Sequence, residues 1–286
     1  MTPRERGFLL LRSSLGDPER KPLTVAQYRT LAARIRMMDK PLSNRVLALE
    51  DLLALGYNRS FAEHILRLLN QEKQLDAYLS AGKRQGCAPL SRIHPRYPAR
   101  IKESLGWEAP GCFWAKGDLD ILEYPAISLV GSRELLDENR RFAELIGHIA
   151  AIRGLTLVSG NARGADRAAQ DACLAAGGRI ISILADELTN HKPQRNQLLL
   201  SEEDFNASFS TLRALSRNRC IHALGEIVFV AQAELHKGGT WDGTVKNLRY
   251  GWSPVACFRD GSPSSLELEA LGAQLVSMEE FNIQDL

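Results

Sequence analysis

The sequence has few cysteines, and no two of them lie close together. Five cysteines are spread over 286 residues without a Cys-x-x-Cys pair, and the six histidines show no metal-ligand spacing. Structural zinc sites and disulfide frameworks both need cysteines at characteristic spacings. The sequence therefore predicts no metal site and no disulfide framework, and the cysteines are expected to be buried thiols in a reducing compartment.

The sequence also lacks a long apolar run. The first residues, Met1 to Gly7, carry mixed charge, and no apolar stretch long enough for a signal peptide or a membrane span follows them. The apolar fraction of 44% and the charged fraction of 24% are ordinary for a folded protein. We therefore expect a folded cytoplasmic protein without membrane association.

Charge of one sign is scarce, and the common catalytic signatures are missing. The formal net charge is only +2, so any site for an anion such as a phosphate has to be local. The chain contains no Gly-x-Ser-x-Gly, no Gly-x-Gly-x-x-Gly and no Gly-x-x-x-x-Gly-Lys-Ser/Thr. These absences disfavour a serine hydrolase, a dinucleotide-binding enzyme and a P-loop ATPase, and we expect no catalytic residues and no cofactor.

The N-terminal part of the chain has the periodicity of helices. Thr24 is a candidate N-cap before an apolar repeat that continues to Met38, Ser43 opens a second repeat, and Ser60 with Glu63 fits a capping box for a third. Residues 1–85 are therefore predicted to form a small helical domain. The following stretch, residues 83–125, is rich in proline and is predicted to be an extended connection.

Short apolar runs alternate with helical repeats from Ala126 onward. The runs have the length and branching of buried parallel strands, and they cover residues 126–130, 155–158, 180–184, 227–231 and 255–258, with a final one near 273–276. Helices are predicted over residues 137–153 and 166–176, each ending at glycine. The fold class predicted for residues 86–286 is an α/β domain with an extended Rossmann-like parallel sheet.

Two loops that follow the first two predicted strands could bind an anion. They consist of Gly131, Ser132 and Arg133, and of residues 159–166, which contain Ser159, Gly160, Asn161, Arg163, Gly164 and Asp166. Glycines allow close approach of the backbone, helix N-termini favour negative charge, and guanidinium groups fit phosphate oxygens. Tight turns with solvated arginines would also account for either loop taken alone. Asp166 is expected to cap the helix that it begins.

Two further segments carry cations near predicted strands. Arg217, Asn218 and Arg219 stand at a predicted helix start, and Lys237 with its glycines follows a later strand. Either segment could contact phosphate or sugar. A helix cap with exposed charges and a plain flexible loop are the alternatives.

Taken in order, these motifs resemble the DNA-processing Smf/DprA family. The resemblance covers about residues 56–258 and rests on Leu129-Val130-Gly131-Ser132-Arg133, on Ser159 to Asp166, on Leu200-Ser201-Glu202, on Arg217-Asn218-Arg219, and on the upstream segments His94 to Pro98 and Trp114 to Asp118. It implies a SAM-like helical domain before a Rossmann-like domain that binds and protects single-stranded DNA as a homodimer. It further implies help in loading a RecA-type recombinase during transformation.

The chain departs from the family pattern at several positions. Ala165 stands where the family usually has isoleucine, Gln232 where it usually has glutamate, and residues 238–244 differ from its Ser-Gly-Ser/Thr-x-x-Thr-Ala loop. We expect a divergent member without the C-terminal winged-helix domain, and a role in defence against foreign DNA stays open.

Two alternatives to strand binding stay open. One is a phosphoribohydrolase that cleaves nucleoside monophosphates on a similar sheet, with Glu234 as the only glutamate near the half-matching loop at Lys237. The other is a sensor that binds a small nucleotide without turnover. Affinity that rises with oligonucleotide length would distinguish strand binding from both.

Overall fold

The computed structural model describes residues 1–38, 47–202 and 204–281 of the chain. Its N-terminal part is helical. The helices are α1 (Pro3–Arg12), α2 (Val25–Arg36), α3 (Leu49–Ala54), α4 (Arg59–Leu69) and α5 (Glu72–Arg84). Thr24 caps α2 as predicted, accepting the backbone N–H of Gln27. Ser43 lies outside the described residues.

One of these helices was not predicted, and the predicted start of another was wrong. Helix α1 was not predicted, yet it begins with a capping box in which Thr2 and Glu5 bond each other's backbone. For α4, the N-cap is Asn58, whose side chain accepts the backbone N–H of Phe61 at 2.9 Å. Ser60 is therefore already inside the helix, because the amide of Asn58 takes the capping role two residues earlier.

The strands and the remaining helices follow in a mixed order. The strands are β1 (Ala88–Ser91), β2 (Cys112–Gly117), β3 (Ala126–Val130), β4 (Thr156–Ser159), β5 (Arg179–Leu184), β6 (Gln197–Ser201), β7 (Val228–Val230), β8 (Val255–Phe258) and β9 (Gln274–Val276). The helices are α6 (Ala99–Leu105), α7 (Asp137–Ile152), α8 (Ala165–Ala175), α9 (Thr211–Leu224), α10 (Gly238–Tyr250) and α11 (Pro263–Ala270).

One sheet contains all the strands of the described residues, in the order β1-β2-β6-β5-β4-β3-β7-β8-β9. Strands β3 to β9 are parallel to one another, whereas β1 and β2 add antiparallel pairs at the β6 edge. This confirms the predicted Rossmann-like fold class. The expected extended connection over residues 83–125 was wrong, since that segment contributes α6 and two strands of the sheet.

Apolar side chains cover both faces of the sheet. Neighbouring residues of a strand alternate between faces, so that Leu129 packs on Phe142 of α7, and Val130 packs with Ile221 of α9. The order of strands reverses between β3 and its neighbour β7, because the chain proceeds to β4 on one side and to β8 on the other. Such a reversal places the loops after β3 and β7 around a crevice at the carboxyl edge, where ligands bind in open α/β sheets.

Two apolar clusters contain side chains of the N-terminal helices, and one of them also contains sheet residues. Leu31, Leu52 and Ile65 belong to a core within the first helices. Phe8, Leu75 and other side chains from α1 and α5 share a second cluster with sheet residues, among them Trp114, Leu184 and Leu199. Helix α5 ends at Arg84, one residue before the domain boundary predicted at residue 85. That boundary stays a prediction.

No helix of the described residues is both long and apolar enough to cross a membrane.

Candidate nucleic-acid interface

A groove of about 1090 Å³ opens at the carboxyl edge of the sheet, beside the reversal between β3 and β7. Its walls are residues 130–136 at and after the end of β3, part of the loop after β4, one side of α9, and residues 232–234 and 237–240 after β7. The groove brings together eight of the side chains that the sequence singled out, namely Gly131, Ser132, Arg133, Arg163, Asp166, Arg217, Asn218 and Lys237.

Glycines allow the loops after β3 and β4 to pack directly against each other. Gly164 has a φ of +81° and lies against the backbone of Ser132 and Arg133, where any side chain would overlap that backbone. A Cβ on Gly131 would likewise overlap the side chain of Ala165. The backbone N–H of Ala165 donates to the carbonyl of Ser132 at 3.1 Å. These two glycines therefore hold the loops together, which fixes the positions of both loop arginines.

Asp166 organises the loop that precedes it. Its Oδ2 accepts the backbone N–H groups of Gly160 at 3.0 Å and Ala162 at 3.1 Å. The expectation that Asp166 caps α8 was therefore only partly right, because it accepts backbone N–H groups from the loop and not from the helix. Burial raises the pKa of Asp166, while the guanidinium of Arg217 and the two N–H groups act in the opposite direction.

The sequence suggested that Arg217 stands at a helix start, but it lies inside α9, against the loop after β4. Helix α9 begins six residues earlier, where Ser210 accepts the backbone N–H of Arg213. Arg217 is buried, and its Nη1 donates to the carbonyl of Ile183 at 2.5 Å. Burial lowers its pKa, and Asp166 opposes that shift. The misplacement arose because a buried arginine interrupts the apolar face by which a helix is recognised.

Asn218 and Arg219 have different surroundings. The side-chain amide of Asn218 donates to the carbonyl of Gly239 at 3.0 Å, so it joins α9 to the start of α10. Arg219 forms an ion pair with Glu202 and donates to the carbonyl of Glu108. It does not line the groove. The Leu-Ser-Glu and Arg-Asn-Arg segments are thus connected by the pair between Glu202 and Arg219.

The remaining predicted residues range from exposed to fully buried. Arg133 and Arg163 are exposed, and no described acidic side chain pairs with either. Lys237 is also exposed, but its Nζ lies 2.7 Å from Oε1 of Glu234. Ser159 is buried in the sheet, where Gln170 donates to its hydroxyl. The two free guanidinium groups are therefore the predicted side chains most accessible to a phosphate.

Several residues of the groove were not predicted as site residues, and three of them have surroundings that bear on binding. Gln232 accepts the backbone N–H of Ser132 at 2.9 Å through its carbonyl and that of Leu136 at 3.0 Å through Oε1, so it shapes the loop after β3. Phe209 stands at the rim with 57% of its surface exposed. His222 lies at the groove floor, where burial lowers its pKa to about 3. The signal available for Phe209 was an aromatic residue in the polar segment before α9, although Phe205 of the same segment is buried.

Comparison with known proteins assigns the chain that forms this groove to a known family. The family model of DNA recombination-mediator protein A matches residues 89–280, which include all the loops of the groove. The chain belongs to the DNA recombination-mediator protein A family. Among curated members, DNA processing protein DprA of Streptococcus pneumoniae is 31% identical over 177 residues, covering 57% of this chain and 60% of that protein.

Solved structures of family members agree with the fold. The chain is similar to the X-ray structure of DNA processing protein A from Streptococcus pneumoniae, with a TM-score of 0.71 and 25% identity over 96% of this chain and 95% of that one. A structure of DNA processing protein A from Helicobacter pylori, described for its single-stranded DNA binding mode, matches with a TM-score of 0.58 and 25% identity over 70% and 93% of the two chains. The curated relatives are covered over 60%, 54% and 40% of their lengths, so the chain spans about half of each.

Proposed function

We propose that this chain binds and protects single-stranded DNA in the groove at the carboxyl edge of the sheet. The observation that carries the proposal is the pair of exposed guanidinium groups, Arg133 and Arg163, in one groove with the buried cation Arg217. Neither exposed group forms an ion pair with an acidic side chain of the described residues. Guanidinium groups on fixed loops suit the phosphodiester backbone, which every sequence shares. The strand is thus held without regard to its base sequence.

Family membership and the Helicobacter pylori relative support the same ligand. As in the family, we infer a homodimer that passes the bound strand to a RecA-type recombinase. In this proposal Arg133, Arg163 and Lys237 contact phosphates. The loops are shaped by Gly131, Ser132, Gly160, Asn161, Gly164, Asp166, Arg217 and Asn218. Two further residues, Ser159 and Arg219, contribute from outside the groove.

The same groove is proposed to be a binding site and not a catalytic one. A nucleoside-monophosphate hydrolase would need a glutamate positioned for acid-base work, whereas the carboxylate of Glu234 is exposed and paired with Lys237 at 2.7 Å. Incubation with nucleoside monophosphates should release no free base. Release that is abolished by Glu234→Gln would establish the hydrolase instead.

Strand binding is tested by fluorescence anisotropy with single-stranded and duplex DNA over a range of salt concentrations. Phosphate contacts to a single strand predict a slope of log K against log salt of about −0.7 for each phosphate neutralised. The proposal also expects tighter binding of the single strand than of the duplex. Equal affinity for duplex, a flat salt response, or saturation by a mononucleotide would contradict the proposal.

Substitutions in the groove test whether it is the binding surface. Arg133→Ala and Arg163→Ala should each weaken strand binding by roughly 1.5–3 kcal/mol, the value of a hydrogen bond to a charged group, and leave the melting temperature nearly unchanged. Arg153→Ala is the matched control, since Arg153 is an exposed arginine at the far end of α7. If both loop variants bind the strand with the same affinity as the Arg153 variant, the groove is not the binding surface.

A further inference from the structure

A second, shallower furrow of about 530 Å³ runs between α7 and α8. Its floor consists of small side chains, Ala168, Ala172 and Ala175. The helices can approach closely because Gly147 of α7 lies against the backbone of Ala169, where a Cβ would overlap the carbonyl. The furrow follows the whole of α8, about 15 Å at the usual helical rise. Its small side chains leave room for an extended chain on the protein surface.

The charges along this furrow are ordered. Arg140, Arg163 and Arg167 line the end next to the loop after β4, and Glu144 and Asp171 follow one helical turn further along α7 and α8. Arg167 is 4.0 Å from Asp171, whereas no described acidic side chain pairs with Arg140 or Arg163. The furrow therefore begins with two arginines that have no acidic partner among the described residues, and it becomes acidic after its first turn.

Arg163 lines both this furrow and the main groove. Asn161, which is held at a φ of +61°, also lines the furrow, and its buried Oδ1 has no hydrogen-bond partner among the described residues. A buried acceptor without a partner is costly unless a ligand or water supplies a donor. The two cavities thus meet at Arg163, which has no ion-pair partner among the described residues. The Asn161 oxygen beside it can accept from a base amino group or a water but not from a phosphate, so the phosphate is left to the guanidinium groups.

We propose that the first turn of the furrow is a second phosphate-binding position, which receives the strand after it leaves the main groove over Arg163. Arg140 and Arg163 hold the phosphodiester there, and Glu144 and Asp171 repel the strand further along the helices. The inference rests on the proposed function, because it extends the path of the same ligand. It assigns a role to α7 that no sequence motif indicated.

The test compares two strand lengths in Arg140→Glu and in a matched control. Single-strand sites commonly take about 4–16 nucleotides, so strands of about six and about thirty bases separate contacts in the groove from contacts beyond it. Arg140→Glu should weaken binding of the long strand about tenfold, reduce the magnitude of its salt slope by about 0.7, and leave the short strand unaffected. Arg141→Glu is the control, because Arg141 is exposed, lies outside the furrow and is 3.9 Å from Glu138.

A gain of affinity provides a second test that misfolding cannot imitate. Glu144→Gln removes the repulsion beyond the first turn, so it should tighten binding of the long strand and leave the short strand unaffected. Long-strand affinity of Arg140→Glu equal to that of Arg141→Glu would overturn the inference, as would equal losses for both strand lengths. A parent protein that binds neither strand would overturn the proposed function itself.

Discussion

Gly160 lies directly against the guanidinium of Arg217, and this contact explains why the loop after β4 needs a glycine there. A Cβ on Gly160 would stand 2.7 Å from Cζ of Arg217. We expect Gly160→Ala to displace Arg217, to lower the free energy of unfolding by about 1–3 kcal/mol as in other overpacked sites, and to weaken strand binding. Thermal melting beside anisotropy measures both effects.

Gly7→Ala is the control for that substitution. Gly7 is inside α1, and a Cβ there would meet no atom within 4 Å other than those of its own helix backbone and chain neighbours. Alanine there should therefore stabilise the protein by about 0.5–1 kcal/mol. Unchanged binding and stability in Gly160→Ala would show that Arg217 is free to move.

His222 gives the protein a predicted sensitivity to acid. It is fully buried, neither ring nitrogen has a partner among the described residues, and its pKa is lowered to about 3. Because an unfolded histidine binds its proton near pH 6.5, the unfolded state binds more protons than the folded state between about pH 3 and 6.5. The neutral imidazole therefore contributes stability above pH 6.5 that is lost as the pH falls.

We expect His222→Leu to keep its stability at pH 7 and to lose less of it than the parent between pH 6.5 and 4. Melting temperatures measured across that range test the difference, with His148→Leu, a half-buried histidine of α7, as the comparison. Parallel pH curves for the parent and the His222 variant would show that other groups cause the acid sensitivity.

At the scale of elements, the segment before α9 gives the groove an aromatic rim. Phe209 precedes the N-cap Ser210 and is exposed at the mouth of the groove, near the unpaired arginines of the other wall. Stacking of a base on an aromatic ring is worth about 1–3 kcal/mol and is tolerant of sequence. We expect Phe209→Ala to weaken single-strand binding by about that amount, and to have little effect on a strand whose bases have been removed.

Tyr250→Ala is the control for the aromatic rim. Tyr250 is equally exposed but lies at the C-terminal end of α10, whereas the N-terminal end of that helix borders the groove. If the two variants bind normal and abasic strands alike, the rim takes no part in binding.

The elements also show how far the sequence could predict the molecule. Strand β8 was predicted to the residue and α7 to within one, since apolar runs and helical repeats ending at glycine are local signals. Strand β6 was missed because its apolar run is only three leucines long within a polar segment. Likewise, the burial of Arg217 and the bond from Asn218 to α10 depend on tertiary packing, which periodicity does not report.

At the scale of the whole molecule, one apolar cluster crosses the boundary predicted at residue 85. Trp114 of β2 packs on Tyr78 of α5 with ring centroids 5.1 Å apart, and its ring lies against Gly82, where a Cβ would overlap it. A shared core makes separate unfolding of residues 1–85 and 86–286 unfavourable, because either part alone would expose large aromatic side chains to water.

We therefore expect circular dichroism and tryptophan fluorescence to report a single coincident thermal transition. Gly82→Ala should lower its midpoint, since the added methyl group separates α5 from β2 without touching the core of the first helices or the groove. Two resolved transitions in the parent, or a Gly82→Ala variant that melts like the parent, would show instead that the helical part and the sheet fold as independent domains.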